Sequence, residues 1–92
     1  MKRLEDTTIG KELKNLTNWN HIENAIEKEF VFQNFPQALD FIVQVGVVSE
    51  KMNHHPEIYN VYNKVKLRLT THDYNGVTQK DIDLAVAIET IP

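Results

Sequence analysis

Residues 34–57, NFPQALDFIVQVGVVSEKMNHHPE, decide the fold, because they contain the clearest helix of the chain, its end and the start of a strand. Asn34 is suited to the N-cap position, and Pro36 is tolerated in the first turn of a helix. Pro56 cannot continue a helix and disfavours helical backbone at the residue before it. The stretch therefore predicts a long helix that the chain has left by His55.

The apolar residues of this helix form a wide face, which predicts packing on a sheet and on a second subunit. The small residues Gly46 and Ser49 would permit close approach of a neighbouring element. One position of this face can be assigned to either of two residues, because Phe41 and Ile42 both fit the helical spacing. The predicted face consists of Ala38, Phe41 or Ile42, Val45, Ser49 and Met52.

After this helix, residues 57–62 and 65–71 predict a β-hairpin. Apolar and charged residues alternate in the second strand, which is typical of a strand with one wet face. Asn63-Lys64 is the expected tight turn, since asparagine tolerates positive φ. The alternating residues are Val65, Leu67 and Leu69 on one side and Lys64, Lys66 and Arg68 on the other.

The upstream sequence predicts a helix from Asp6 to about Leu16 and a short strand around Trp19 and Ile22. Residues 25–32 follow with the alternation of a half-buried strand, and a helix over residues 23–30 is the competing interpretation.

The last helix begins at Thr78, where Asp81 replaces the usual glutamate of a capping box. The order of elements is helix, two strands, helix, two strands, helix. It predicts an α+β fold with a four-stranded antiparallel sheet and three helices packed on one face. The expected apolar face of the last helix consists of Ile82, Ala85, Val86 and Ile88.

Composition narrows the function classes. A chain of 92 residues with 41% hydrophobic and 25% charged residues predicts one globular domain over residues 1–92. The net charge of -3 argues against nucleic acid as the main partner, and the absence of cysteine excludes thiol chemistry. No run approaches the roughly 20 apolar residues of a membrane span, and the N-terminus lacks the pattern of a signal peptide. We therefore expect a cytoplasmic protein.

Three of the four histidines, His54, His55 and His72, lie in two short polar segments. Histidine donates and accepts protons near neutral pH, so these segments are the candidate site for acid–base chemistry. Glu50 lies one turn before His54 and is expected to contact it and hold its tautomer. The remaining histidine, His21, has no polar cluster around it and is interpreted as a surface residue.

Two other interpretations of these histidines stay open. A His-His pair before proline is also an ordinary surface loop, and a histidine after a strand is often a solvated loop residue. Three histidines could also bind zinc with one open position, although adjacent histidines lack the usual helical ligand spacing and no cysteine assists. Asp81 has an alternative interpretation as well, in which it only completes the helix cap.

The motifs taken together resemble the pterin-4a-carbinolamine dehydratases. The resemblance rests on residues 50–57 (EKMNHHPE), 71–73 (THD), 76–78 (GVT) and Asp81, with a weaker match at residues 30–35 (FVFQNF). It implies the fold predicted above and assembly into homodimers or homotetramers. It also implies the dehydration of 4a-hydroxytetrahydrobiopterin to quinonoid dihydropterin, which recycles the cofactor of aromatic amino-acid hydroxylases. Neither a metal ion nor an organic cofactor is implied.

The resemblance also implies roles for particular residues. His54, His55 and His72 would surround the pterin and share the proton transfers, with His55 and His72 mattering most. Asp81 would orient His72 or stabilise its charged form. The implied substrate contacts come from Asn53, Thr70, Thr71 and Asp73 together with the three histidines. A non-catalytic dimerisation or transcriptional coactivator module with the same fold is the alternative function.

Overall fold

A computed structural model describes residues 1–92 and confirms the predicted order of helices and strands. A single 3₁₀ turn at His72–Tyr74 precedes the last helix. None of the helices is both long enough and apolar enough to cross a membrane. The elements are α1 (Asp6–Leu13), β1 (Asn20–Ile22), β2 (Ala25–Val31), α2 (Phe35–Met52), β3 (Glu57–Val61), β4 (Lys64–Leu69) and α3 (Gln79–Glu89).

The four strands form one antiparallel sheet in the order β1-β2-β4-β3. Ile26 of β2 lies opposite Leu69 of β4, and Phe30 lies opposite Val65. The strand interpretation of residues 25–32 is confirmed, and the helical alternative for residues 23–30 is wrong. β4 lies between β2 and β3, so its alternation divides the sheet into an apolar face and a charged face.

The apolar face of the sheet packs against the three helices in one core. Val65, Leu67 and Leu69 are fully buried, as the alternation predicted. On α2 the residue in the core is Phe41, which is 6% exposed, whereas Ile42 is only partly buried. Ile9 of α1 and several residues of α3 also belong to this core. The helices therefore cover one face of the sheet, and the other face carries charged side chains.

The expected turn at Asn63-Lys64 is wrong by one residue. Val61 pairs with Lys64, so the two turn residues are Tyr62 and Asn63, and Tyr62 takes the positive φ of 50°. The side chain of Asn63 has another use, because its Nδ2 donates to the carbonyl of Phe32 at 2.8 Å. The hairpin turn is thereby tied to the segment that leads into α2.

The apolar face of α3 is rotated relative to the prediction. Leu84 is fully buried, whereas Val86 is 50% exposed and does not belong to the core. Asp81 lies on the same stripe as Leu84 and Ile88, at helical spacing, and its side chain is also fully buried. The rotation therefore carries a carboxylate into the interior at the end of α3 that faces the histidine segments.

Candidate functional site

The end of α2 determines the directions of the paired histidines. Asn53 adopts the left-handed conformation with φ 52°, and its N–H donates to the Glu50 carbonyl at 3.2 Å. The N–H of His54 donates to the Ser49 carbonyl at 3.1 Å, which completes a Schellman motif. Adjacent residues in an extended chain point to opposite sides, and this irregular turn changes that geometry. His54 is consequently directed inward, towards α3, while His55 stays at the surface.

His54 contacts the buried carboxylate of Asp81. The distance from Nε2 to Oδ1 is 2.5 Å, and the side chains are 11% and 0% exposed. Asp81 also completes the capping box of α3, since its Oδ2 accepts from the Thr78 N–H at 2.9 Å. The cap and the histidine contact are therefore made by one side chain, using a different oxygen for each.

A directed chain of hydrogen bonds holds Asp81 from the other side. The Lys80 N–H donates to Thr78 Oγ1 at 3.3 Å, and Thr71 Oγ1 donates to Asp81 Oδ2 at 2.8 Å. The hydroxyls of Thr71 and Thr78 lie 2.8 Å apart. A hydroxyl has one proton to donate, so Thr78 must be the donor to Thr71. Every hydroxyl in this buried chain both accepts and donates, which orients the carboxylate.

His55 has a carboxylate partner of its own, at the surface. Its Nε2 lies 2.5 Å from Glu50 Oε1, and the side chains are 59% and 78% exposed. The predicted contact between Glu50 and His54 is therefore wrong, since Glu50 pairs with His55. The predicted pairing of Asp81 with His72 is also wrong, because Asp81 pairs with His54. The turn at Asn53, which directs His54 inward, contributes to both errors.

His72 lies in the exposed 3₁₀ turn that follows β4. This turn is closed by the bridge between Thr71 and Gly76, with the Thr71 N–H donating to the Gly76 carbonyl at 2.9 Å. The Leu4 N–H donates to the Val77 carbonyl at 2.7 Å, so the N-terminal segment supports the same loop. The imidazole of His72 makes no hydrogen bond within the protein and is free to contact a ligand.

The two polar segments meet around one cavity of about 290 Å³. The structure thus brings together all seven residues expected to contact the substrate. Asp81 stands behind His54 and does not line the cavity. Lys80 also lines it and was not among the residues predicted from the sequence, although its position beside Asp81 in the first turn of α3 was an available signal. The lining residues are Asn53, His54, His55, Thr70, Thr71, His72, Asp73 and Lys80.

Two further cavities differ in their relation to the histidines. A cavity of about 340 Å³ adjoins the first one and shares Thr70 and His72 with it. The largest cavity, of about 840 Å³, lies beside the N-terminal segment and contains only His21 among the histidines. Size therefore does not identify the candidate site; the concentration of proton-transferring groups does.

The histidines do not form a ligand set for a metal ion. In the structure no group of three or more histidine, aspartate or glutamate side chains is arranged to hold one. His54 and His55 are instead engaged with separate carboxylates. Three imidazoles, two of them paired with carboxylates, lie at one polar cavity. Such groups are suited to general acid–base catalysis.

Comparison with known proteins identifies the family of this chain. The family described as "Pterin 4 alpha carbinolamine dehydratase" matches residues 2–91. A provisionally named pterin-4-alpha-carbinolamine dehydratase of Picosynechococcus sp. is 46% identical over 90% of this chain and 90% of its own. A relative with the same provisional name, from Sulfurisphaera tokodaii, is 41% identical over 99% of this chain and 98% of its own.

Solved structures extend the comparison. A transcriptional coactivator/pterin dehydratase from Brucella melitensis superposes with a TM-score of 0.91 and 37% identity over 96% of both chains. A pterin dehydratase-like protein, identified as a RuBisCO assembly factor of the alpha-carboxysome, shares the fold with a TM-score of 0.63, at 18% identity over 77% of this chain and 82% of its own. The histidine-lined cavity, the family match and these relatives lead to one conclusion: the chain belongs to the pterin-4-alpha-carbinolamine dehydratase family.

Proposed function

We propose that the protein catalyses the dehydration of a 4a-hydroxytetrahydropterin, such as 4a-hydroxytetrahydrobiopterin, to quinonoid dihydropterin. The observation that carries this proposal is the arrangement of His54, His55 and His72 around one cavity, with a separate carboxylate on each of the first two. Family membership supports the choice of a pterin as the substrate. In a cell that contains an aromatic amino-acid hydroxylase, the reaction would recycle the tetrahydropterin cofactor in the cytoplasm.

The reaction needs two proton transfers. The hydroxyl on C4a leaves as water and takes a proton from a general acid. The ring nitrogen N5 gives its proton to a general base, and the electron pair left on N5 forms the double bond to C4a. Because that electron pair expels the hydroxyl, no covalent bond to the protein is required. Well-positioned acid–base groups typically contribute about 10²–10⁴-fold each.

His54 is the best candidate for the general base. Its Nε2 contacts the Asp81 carboxylate, so this nitrogen carries the proton and Nδ1 is left as the acceptor. When Nδ1 takes the proton from N5, the adjacent carboxylate stabilises the resulting imidazolium. The more exposed His55 and His72 exchange protons readily with water, and this suits them to supply the proton to the departing hydroxyl. Asp81 is accordingly assigned to His54 as its positioning residue.

The remaining lining residues bind the substrate or support the site. Asn53, Asp73 and Lys80 offer donors and acceptors for the amide-like edge of the pterin ring. Thr71 also lines the cavity, but its hydroxyl donates to Asp81 and its N–H donates to Gly76. The role we propose for Thr71 is therefore to hold Asp81, with little direct contact to the substrate.

The direct test is an assay of carbinolamine dehydration with purified protein. His55→Ala and His72→Ala are each expected to lower kcat/KM by about 10²-fold or more, in line with the loss of an acid–base group. His21→Ala is the matched control, because His21 is exposed on β1 and lies outside the site. A folded wild-type protein that leaves the dehydration rate at its spontaneous value would disprove the proposal.

A homodimer or homotetramer is part of the proposed function. The side of α2 that faces away from the sheet carries four exposed apolar residues at intervals of four, and such a stripe is typical of helix–helix contacts between subunits. The residues are Phe35, Leu39, Val43 and Val47, which are 41–65% exposed. Sedimentation at micromolar concentration tests the assembly, and a monomer there would contradict it.

The same stripe favours a second candidate function, a non-catalytic interaction module. The Brucella melitensis relative is described both as a transcriptional coactivator and as a pterin dehydratase. If this chain is such a module, Val43→Glu would abolish partner binding, whereas His55→Ala and His72→Ala would leave the biological activity unchanged. The dehydratase proposal makes the opposite prediction for the histidine variants.

A further inference from the structure

The cavity that adjoins the histidine site opens on the charged face of the sheet. Glu57 and Arg68 point to that face because their neighbours on β3 and β4 point towards the helices. The volumes of the two cavities are about 290 and 340 Å³, near the lower end of the roughly 300–1,000 Å³ of small-molecule sites. The residues that line this outer cavity are Asn24, Glu57, Arg68, Thr70, His72 and Asn75.

The chemistry of the substrate connects the two cavities. In a tetrahydropterin the C6 side chain is attached next to N5, and N5 is bonded to the reacting C4a. The side chain must therefore leave the site close to the groups that exchange protons with N5 and the C4a hydroxyl. Thr70 and His72 are the two residues shared by both cavities. A ring held beside His72 can extend its C6 substituent directly into the outer cavity.

We propose that the outer cavity binds the C6 side chain of the pterin and selects a short, uncharged, hydroxylated chain. This inference rests on the proposed function. The side-chain amides of Asn24 and Asn75 make no hydrogen bonds within the protein, since only their backbone carbonyls accept from the side chains of Thr70 and Arg3. These amides are free to donate to and accept from hydroxyl groups.

The charges around Arg68 are the reason to expect selection against anionic C6 side chains. Arg68 Nε lies 3.3 Å from Glu27 Oε2, and its Nη1 lies 3.6 Å from Glu57 Oε2. Lys66 Nζ also lies 3.9 Å from Glu27 Oε1, so cations and carboxylates balance on this face. Arg68, the one lysine or arginine that lines the cavity, is thus already paired, and a phosphate or carboxylate on the substrate would lie beside Glu57 without a free cation to bind it. The other oxygen of Glu57 accepts from Tyr59 at 2.6 Å, and this hydrogen bond raises the pKa of Tyr59 above its ordinary value of 10.0.

The test compares the 4a-carbinolamines of three tetrahydropterins that differ only at C6. The side chains are methyl, 1,2-dihydroxypropyl and the phosphate ester of dihydroxypropyl. We expect kcat/KM to be about fivefold or more higher for dihydroxypropyl than for methyl, the equivalent of one hydrogen bond, and lowest for the phosphate ester. Asn24→Ala should reduce the ratio of dihydroxypropyl to methyl, again by about fivefold.

Charge selection is tested by Glu57→Gln, which leaves Arg68 with one carboxylate fewer. We expect kcat/KM for the phosphate ester to rise several-fold relative to the dihydroxypropyl substrate. Glu29→Gln is the matched control, because it removes the same charge from the same face of the sheet outside the cavity. Circular dichroism establishes that each variant is folded before it is compared.

The outcomes separate this inference from the proposed function. Dehydration of all three substrates with equal kcat/KM would overturn the side-chain site and leave the dehydratase function standing. A preference for the phosphate ester, or an equal effect of Glu57→Gln and Glu29→Gln, would overturn it as well. Failure to dehydrate any of the three would overturn the proposed function and this inference together.

Discussion

The two histidine–carboxylate pairs of the site have the same chemistry and the same distance but opposite environments. His54 and Asp81 lie 2.5 Å apart, with side chains 11% and 0% exposed, and we call them the inner pair. His55 and Glu50 also lie 2.5 Å apart, with side chains 59% and 78% exposed, and we call them the outer pair. Burial strengthens electrostatic interactions and makes an unpaired partner costly, whereas water and salt screen an exposed pair. The inner pair should therefore matter for both folding and catalysis, and the outer pair for catalysis alone.

Asp81→Asn breaks the inner pair and should have the largest effect. It places an amide where Thr78, Thr71 and His54 all present donors to a carboxylate. We expect the free energy of unfolding to fall by about 3 kcal/mol, as for other buried pairs that lose one partner, and kcat to fall with it. Urea denaturation and the dehydration assay measure the two effects.

Asp83→Asn is the matched control for this change. Asp83 lies on the same helix, is exposed, and its carboxylate accepts a hydrogen bond from the Gln79 side chain. Its substitution should change the free energy of unfolding by less than about 0.5 kcal/mol, as is usual for surface sites. If the two variants were equally stable, the inner pair would not contribute to the fold.

Thr71→Val tests the support of the inner pair while keeping the shape of the side chain. It removes one donor to Asp81 and leaves the Thr78 hydroxyl without its acceptor. The expected loss is about 1–2 kcal/mol in the free energy of unfolding. Thr7→Val serves as the control, because Thr7 is exposed on α1. A catalytic loss with unchanged stability would instead indicate direct substrate contact by Thr71.

Glu50→Gln breaks the outer pair and should have the smallest effect on stability. The free energy of unfolding is expected to change by less than about 0.5 kcal/mol, the usual contribution of an exposed ion pair. We expect kcat/KM to fall several-fold, because the His55 ring loses its orienting partner. Added salt should diminish the difference between wild-type and variant. A destabilisation as large as that of Asp81→Asn would remove the distinction between the two pairs.

Most of the fold could be predicted from the sequence, because its patterns have a direct physical cause. The alternation from Val65 to Leu69 was read correctly as a strand with one buried face. The helix start at Asn34 also followed from local chemistry, and its side chain accepts from the Gln37 N–H as a capping residue should. The meeting of the two polar segments at one cavity was predictable for a similar reason, since the polar groups are concentrated around His54 and His72.

The partners within the site could not be predicted, because they depend on the three-dimensional path of a turn. Sequence spacing favoured Glu50 with His54, yet the left-handed conformation of Asn53 reverses the chain and gives Glu50 to His55. The orientation of α3 was equally inaccessible, since Leu84 and Val86 have similar character and only packing distinguishes them. The assignment of Asp81 to His54 depends on that orientation.

The function proposed for this chain is to accelerate the dehydration of a pterin 4a-carbinolamine. The most direct measurement is the rate at which quinonoid dihydropterin forms from the carbinolamine, with wild-type protein and with His72→Ala at equal concentration. We expect a large acceleration over the spontaneous reaction with wild-type protein, reduced by about 10²-fold or more in the variant. Equal rates with wild-type protein, with the variant and with no protein would contradict it.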